Sequence, residues 1–281
     1  MIETAVIADA GFGSRMFPAT WAVPKLLMPL WNRPVLMYLL DELYKAGVKN
    51  VIFIVNQRSI EFLQKFWEDS NDLSNYLKKK NREHLMQTWL DYKRHFNFEY
   101  MLQDPNIAYG NGAPILTVYR HIGKMPVLYI FGDDIVLQEY ASERLVKTFA
   151  EKDLDVLLGA FRVPLSQVSK YGVFRVTKQE GDLAYFDYTV EKPSVKEAPS
   201  NIVMFGRLAL GTVFADFFED MYDQIVKENS ELLIQPALTR LAQERGKSAV
   251  LVSRGQWVTV GDPVNYANAW QVVKETFSGN V

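Results

Sequence analysis

Thr4-Ala5-Val6-Ile7-Ala8-Asp9-Ala10-Gly11-Phe12-Gly13-Ser14-Arg15-Met16 joins a short apolar, β-prone run to a glycine-rich turn. Such a run reads as a buried strand leading directly into a loop. Glycines let backbone N–H groups approach an anion closely, and Arg15 adds a planar charged fork, so the loop is a candidate phosphate site. Taken alone, it is also an ordinary tight turn. Met16 stands where a dinucleotide fingerprint carries its last glycine, and no Gly-Lys-Ser/Thr follows, so neither common nucleotide motif is met.

Just beyond the loop, Pro18, Pro24 and Pro29 oppose a long helix and hold Lys25 in an extended apolar stretch. A lysine in such surroundings loses solvation unless an anion meets it. Residues 34–46 then read as a helix, with Val35, Leu36, Leu39, Leu40 and Leu43 on one face and Gly47 as its cap. A buried strand follows at residues 51–55, and this strand, helix, strand alternation is that of a parallel sheet. Further strands are expected at residues 98–102, 127–131 and 155–160, with a helix at about 143–152. Residues 172–176 and 183–191 read as a β-hairpin arm turning at Gln179-Glu180-Gly181.

Between Ser59 and His95 the chain is charged and amphipathic, which predicts two or more peripheral helices with Trp67, Tyr76, Leu77, Leu85 and Trp89 as apolar contacts. No repeat or low-complexity linker divides the sequence. Residues 1–281 are therefore expected to form one domain, with a helical insertion at about 60–95. The expected fold is α/β, a Rossmann-like, mostly parallel mixed sheet flanked by helices.

With 48% hydrophobic residues in 281, the chain can fill a sizeable core. Its 31 basic and 33 acidic side chains leave a formal charge of -2, so no general field draws in nucleic acid or an anionic membrane. There is no cysteine, which excludes disulfides and thiolate metal sites. His84, His95 and His121 lack metal-ligand spacing and read as surface residues. No signal peptide or membrane span is visible, and a cytoplasmic location is expected.

In open parallel sheets, ligands bind beyond the carboxyl ends of the strands. Here those ends carry residues 11–15, Gly132-Asp133-Asp134 and, after the apolar run at 257–260, Gly261-Asp262. Two adjacent carboxylates after the buried run Val127-Leu128-Tyr129-Ile130-Phe131 can coordinate a hard cation.

At this point the sequence resembles the nucleoside-diphosphate-sugar pyrophosphorylases, and among them the bacterial UTP-glucose-1-phosphate uridylyltransferases. Ala10, Gly11, Gly13, Arg15, Met16, Pro18, Thr20, Pro24, Lys25, Pro29 and Leu30 fall at the places of that family's N-terminal signature. The likeness continues through Gln103, Gly110-Asn111-Gly112, Asp133, Tyr171-Gly172-Val173 and Val190-Glu191-Lys192-Pro193, and the insertion looks like that of the uridylyltransferase subgroup.

The resemblance implies the nucleotide-diphospho-sugar transferase type of fold and the joining of UTP to glucose 1-phosphate with release of pyrophosphate. It implies that Arg15 and Lys25 steady the triphosphate and that Ala10, Gly11, Gly13, Gln103 and Gly110 hold the nucleotide. Gly172 and Glu191 would receive the sugar hydroxyls, Lys192 its phosphate, and Asp133 a magnesium ion. The expected partners are UTP and a sugar 1-phosphate, with no nucleic acid or membrane, in a homo-oligomer, either dimer or tetramer.

The sequence also departs from the pattern. Thr259 stands where the family carries a second metal-binding aspartate, and Asp134 or Asp262 is the expected substitute. Trp21, Leu233 and Pro236 replace a lysine, a glutamine and an aspartate. These changes motivate a rival expectation, a non-catalytic homologue that binds a nucleotide or sugar nucleotide as a sensor or partner subunit.

Overall fold

The computed structural model describes residues 2–277, so the two ends of the expected 1–281 domain lie outside the described residues. The strands are β1 (Thr4–Asp9), β2 (Pro29–Leu30), β3 (Arg33–Pro34), β4 (Asn50–Val55), β5 (Asn97–Leu102), β6 (Val127–Phe131), β7 (Asp134–Leu137), β8 (Val156–Arg162), β9 (Gly172–Glu180), β10 (Leu183–Glu191), β11 (Ile202–Leu210), β12 (Ser248–Val252) and β13 (Gln256–Thr259). Nine of them form one sheet in the order β5-β4-β1-β6-β11-β8-β12-β10-β9.

The half built from β5, β4, β1 and β6 is wholly parallel, as the alternation of strands and helices requires. β11 enters the centre of the sheet antiparallel to both β6 and β8, and β10 runs against β12 and β9. The β9–β10 hairpin turns at Gly181, whose φ of 63° suits a residue without a Cβ. The hairpin is part of the main sheet through β12, rather than a detached arm.

Both faces of the sheet are covered, which is why its central strands read as continuous apolar runs. On one face Ala5 and Ile7 of β1 pack with the helices Val35–Lys45, Ala141–Glu151 and Pro263–Phe277. On the other face Val6 packs with the helices Ala113–Ile122, Thr212–Asp220 and Gln235–Arg245. Within Val35–Lys45, the predicted stripe Val35, Leu36, Leu39, Leu40 and Leu43 is completely buried. Each such side chain contributes about 1.5–3 kcal/mol by leaving water, so Leu39→Ala alone costs about 2–5 kcal/mol.

The insertion folds as the helices Gln57–Phe66, Asn71–Lys79 and Gln87–His95. Trp67 stacks on Trp89 and Phe98, which fastens the insertion to the edge strand β5. Tyr76 and Leu85, expected as packing contacts, stay exposed.

The apolar run at 257–260 is not a strand of the parallel sheet. It forms a two-stranded antiparallel ribbon, β13 with β7, that crosses the sheet's carboxyl edge. Its position depends on a charged centre in the core. Arg207 of β11 is 0% exposed and bonds both carboxylate oxygens of Glu42, at 2.8 and 3.1 Å. It also donates to the carbonyl of Asp134 at 2.9 Å. Ser142 Oγ donates to Glu42 at 2.8 Å, so two helices, β11 and the start of β7 are fixed to one another at that point.

Candidate functional site

Beyond the carboxyl ends of β1, β5 and β6 opens a cleft of about 940 Å³. It brings together Ala10, Gly11, Lys25, Gln103, Gly110, Asp133, Glu191 and Lys192, most of the residues that the sequence nominated. Gly13, Arg15 and Gly172 are not part of this lining.

The glycine loop owes its path to two local constraints. Gly13 has φ 63°, and a Cβ there would come within 2.8 Å of Thr20 Cγ2 and 3.1 Å of Lys25 Cγ. Thr20 Oγ1 donates to the Gly13 carbonyl at 3.0 Å, which folds the loop onto the segment bearing Lys25. A Cβ at Gly261 would lie 3.0 Å from Asp133 Oδ2 and 3.4 Å from Arg15 Nη2, so the three expected junctions do converge.

Lys25 lies between two carboxylates. Its Nζ is 2.7 Å from Asp9 Oδ1 and 3.4 Å from Asp133 Oδ2. Burial pushes the Asp9 carboxyl up to about 6, with Lys25 pulling the other way and Asp133 adding to the rise. Burial also works against the Lys25 ammonium, but the paired carboxylates outweigh it and keep the amine charged above its usual range. Asp9 is absent from the sequence-based set because a carboxylate at a strand end reads as the start of the turn.

At the other end of the cleft, Gly110 has φ 148°, and a Cβ would strike the Leu232 carbonyl at 2.3 Å. Leu232 N donates to the Tyr109 carbonyl at 2.7 Å, and Gly112 N to that of Leu232 at 2.9 Å, which clamps this loop to the Glu231-Leu232-Leu233 segment. Behind it, Asn111 donates to Gln235 Oε1 at 3.2 Å, and Gln235 Nε2 donates to Glu191 Oε2 at 2.6 Å. Gly172 faces this pair, and a Cβ there would press on Glu191 Oε2 at 3.2 Å. Neither Asn111 nor Gln235 was nominated by sequence, since their partners lie 124 and 44 residues away along the chain.

Lys192 adopts φ 46°, uncommon for a residue with a side chain, with its N–H bonded to the Tyr171 carbonyl at 2.9 Å. The side chain is 63% exposed and its Nζ stands 3.4 Å from Glu191 Oε1, a loose surface pair for which an entering anion can compete.

Two expected substitutes for the missing carboxylate are committed elsewhere. Asp134 is buried, with Oδ2 accepting from Gly206 N and Oδ1 from Trp257 Nε1, both at 2.9 Å. It turns into the core at the first residue of β7, whereas Asp133 lies in the turn before it. Burial, then the neighbouring Asp133, pushes its carboxyl up to about 6. Asp262 caps the helix Pro263–Phe277, accepting from the N–H groups of Val264 and Asn265 at 3.1 and 3.0 Å. Those bonds, led by that from Asn265, hold its pKa below the ordinary value. Thr259 lines a neighbouring depression with Tyr171 and Trp257. Trp21 is 78% exposed, at the rim of the glycine loop.

An α/β sheet whose carboxyl edge carries a glycine loop, a buried lysine and an acidic turn is an arrangement able to hold a phosphate-bearing ligand. A family model described as nucleotidyl transferase matches residues 4–276. The chain belongs to that family. The UTP-glucose-1-phosphate uridylyltransferase of Bacillus subtilis is 28% identical over 241 residues, covering 85% of this chain and 80% of that protein. A second B. subtilis protein, UTP-glucose-1-phosphate uridylyltransferase YngB, is 30% identical over 213 residues, covering 75% and 70%. A solved UDP-glucose pyrophosphorylase complexed with UDP-glucose superposes with a TM-score of 0.84 over 98% of this chain and 100% of that one, at 24% identity. At that identity, the likeness is one of fold. Among the described residues, no helix is long and apolar enough to cross a membrane.

Proposed function

We propose that the protein joins UTP to glucose 1-phosphate, forming UDP-glucose and pyrophosphate. The observation carrying this reading is the single cleft that gathers the glycine loop, Lys25 and Asp133 at one end and Glu191 and Lys192 at the other. The relatives' transferase names support chemistry over the sensor or partner-subunit reading.

In this reading the oxygen of the sugar phosphate attacks the α-phosphorus in line, a new P–O bond forms, and the bond to pyrophosphate breaks. No covalent enzyme intermediate is needed. Arg15 and Lys25 balance the charge gathering on the departing pyrophosphate, and Lys192 holds the sugar phosphate against its target. Glu191, fixed by Gln235, accepts from sugar hydroxyls, while Gln103 and Gly110 border the base. The protein's expected metal is magnesium, which when bound spreads negative charge over the phosphates. In this reading Asp133 is the carboxylate that would hold it. Among the described residues no three potential ligands cluster, which suits an ion held by one or two carboxylates plus phosphate oxygens.

The test is magnesium-dependent pyrophosphate release by Asp133→Ala. A loss of about 100-fold or more is expected for a group acting on transition-state charge. Unchanged turnover would remove Asp133 from the site.

A further inference from the structure

Asp9 is 5% exposed, closes β1 at the floor of the cleft, and has no role in the reading above. Its Oδ1 pairs with Lys25 Nζ at 2.7 Å, and among the described residues no other donor reaches that buried oxygen. A buried carboxylate held by one shared cation is the kind of group that concentrates at functional sites.

Its nearest carboxylate neighbour is Asp133. β1 and β6 are paired in parallel, with Ala8 opposite Phe131, and Gly132 N donates to the Ala8 carbonyl at 3.0 Å. A Cβ at Gly132 would lie 3.1 Å from Asp9 Cβ, so the glycine leaves room for the two acids to face one point. Lys25 Nζ marks that point. Lys25 is shared between the two carboxylates, and Arg15, brought beside Asp133 at Gly261, is the other cation close by. A triphosphate competes for both cations, which leaves the paired acids to a cation of higher charge that joins them to the phosphates.

We infer that Asp9 is the second carboxylate of the divalent-cation site, supplied from the end of β1, since at the β13 junction Thr259 is uncharged and Asp262 caps a helix. Lys25 bridges the two acids until a nucleotide arrives, and its ammonium then turns to the phosphates. The inference rests on the nucleotidyltransferase reading. Its donor set, hard carboxylate oxygens completed by phosphate oxygens, is that of magnesium or manganese.

Manganese binding, followed by the loss of the free-ion electron paramagnetic resonance signal in the presence of UDP-glucose, tests it without turnover. Asp9→Asn keeps the shape and removes the charge, and is expected to weaken manganese binding at least about tenfold. The same variant should still bind UDP-glucose in EDTA, which also reports that it folds. Asp9→Asn with unchanged manganese affinity, beside an Asp133→Asn that loses it, overturns the inference and leaves the enzyme reading standing. A wild-type protein that binds no UDP-glucose overturns the enzyme reading itself. Crystals of the unaltered protein with UDP-glucose and manganese need no variant. An anomalous peak bonded to both Asp9 and Asp133 is expected, whereas a peak on Asp133 with Asp9 still held to Lys25 contradicts the assignment.

Discussion

Gln235 Nε2 donates to Glu191 Oε2 at 2.6 Å from a side chain that is itself 2% exposed, so the cleft carboxylate is oriented by a residue that substrate does not reach. A hydrogen bond to a charged group is worth about 1.5–3 kcal/mol. Gln235→Ala is therefore expected to lower kcat/KM for glucose 1-phosphate roughly 10- to 150-fold, with the KM for UTP little changed. Steady-state kinetics varying each substrate in turn checks this. An equal effect on both KM values would mean that Gln235 supports the whole cleft rather than the sugar end.

Gly110 combines φ 148° with a would-be Cβ 2.3 Å from the Leu232 carbonyl, and a backbone atom cannot swing aside. Gly110→Ala must shift one of the two clamped segments, costing about 1–3 kcal/mol from strain and overpacking. Urea denaturation measures the cost, and binding of UTP should weaken in parallel. By contrast, Gly11→Ala meets nothing within 4 Å and should leave stability within about 0.5 kcal/mol.

Arg207 and Glu42 are 0% and 3% exposed in their side chains. Removing one partner leaves a buried charge alone, so Arg207→Met should destabilise by about 3–5 kcal/mol. Replacing both, Arg207→Met with Glu42→Met, should recover much of that loss in equilibrium urea denaturation. The double variant should nevertheless lose activity, because Arg207 also fixes the Asp134 carbonyl beside Asp133. A double variant as active as the unaltered protein would refute that positioning role.

Glu139 secures the turn before β13, accepting from Arg254 N and Gly255 N at 2.9 Å as well as from Ser253 and Arg144. Burial works against its charge, yet these bonds hold its carboxyl below the ordinary value. A depressed carboxylate adds stability that is complete above its unfolded pKa, near 4.5, and is lost as pH falls through the folded value. Glu139→Gln should accordingly destabilise the protein at pH 7 and approach the unaltered protein in stability as the medium is acidified. Urea midpoints compared at pH 7 and at pH 4 read this directly, and a difference that does not shrink would contradict it.

The parallel half of the sheet was legible because its signals are local, an apolar run ending in a glycine turn at β1 and an amphipathic stripe at Val35–Lys45. β11 was not, although all nine of its residues are buried. Gly206 and Arg207 interrupt its apolar run, and the partner that makes Arg207 tolerable lies 165 residues away in Glu42. The site divides in the same way. The glycine loop, Lys25 and Asp133 carry motif spacing, whereas Asp9 gains meaning only when β6 brings Asp133 beside it, and Gln235 only when its helix meets β10. Asp134 misleads in sequence for a related reason, since the partners that hold its side chain in the core, Gly206 and Trp257, lie 72 and 123 residues away.

The central claim is tested most directly by pyrophosphate release from each pairing of nucleoside triphosphates with sugar 1-phosphates, with and without magnesium. The account predicts magnesium-dependent release that is greatest for UTP with glucose 1-phosphate. Binding of UDP-glucose with no pyrophosphate released from any pair would contradict it, and would establish the non-catalytic homologue instead.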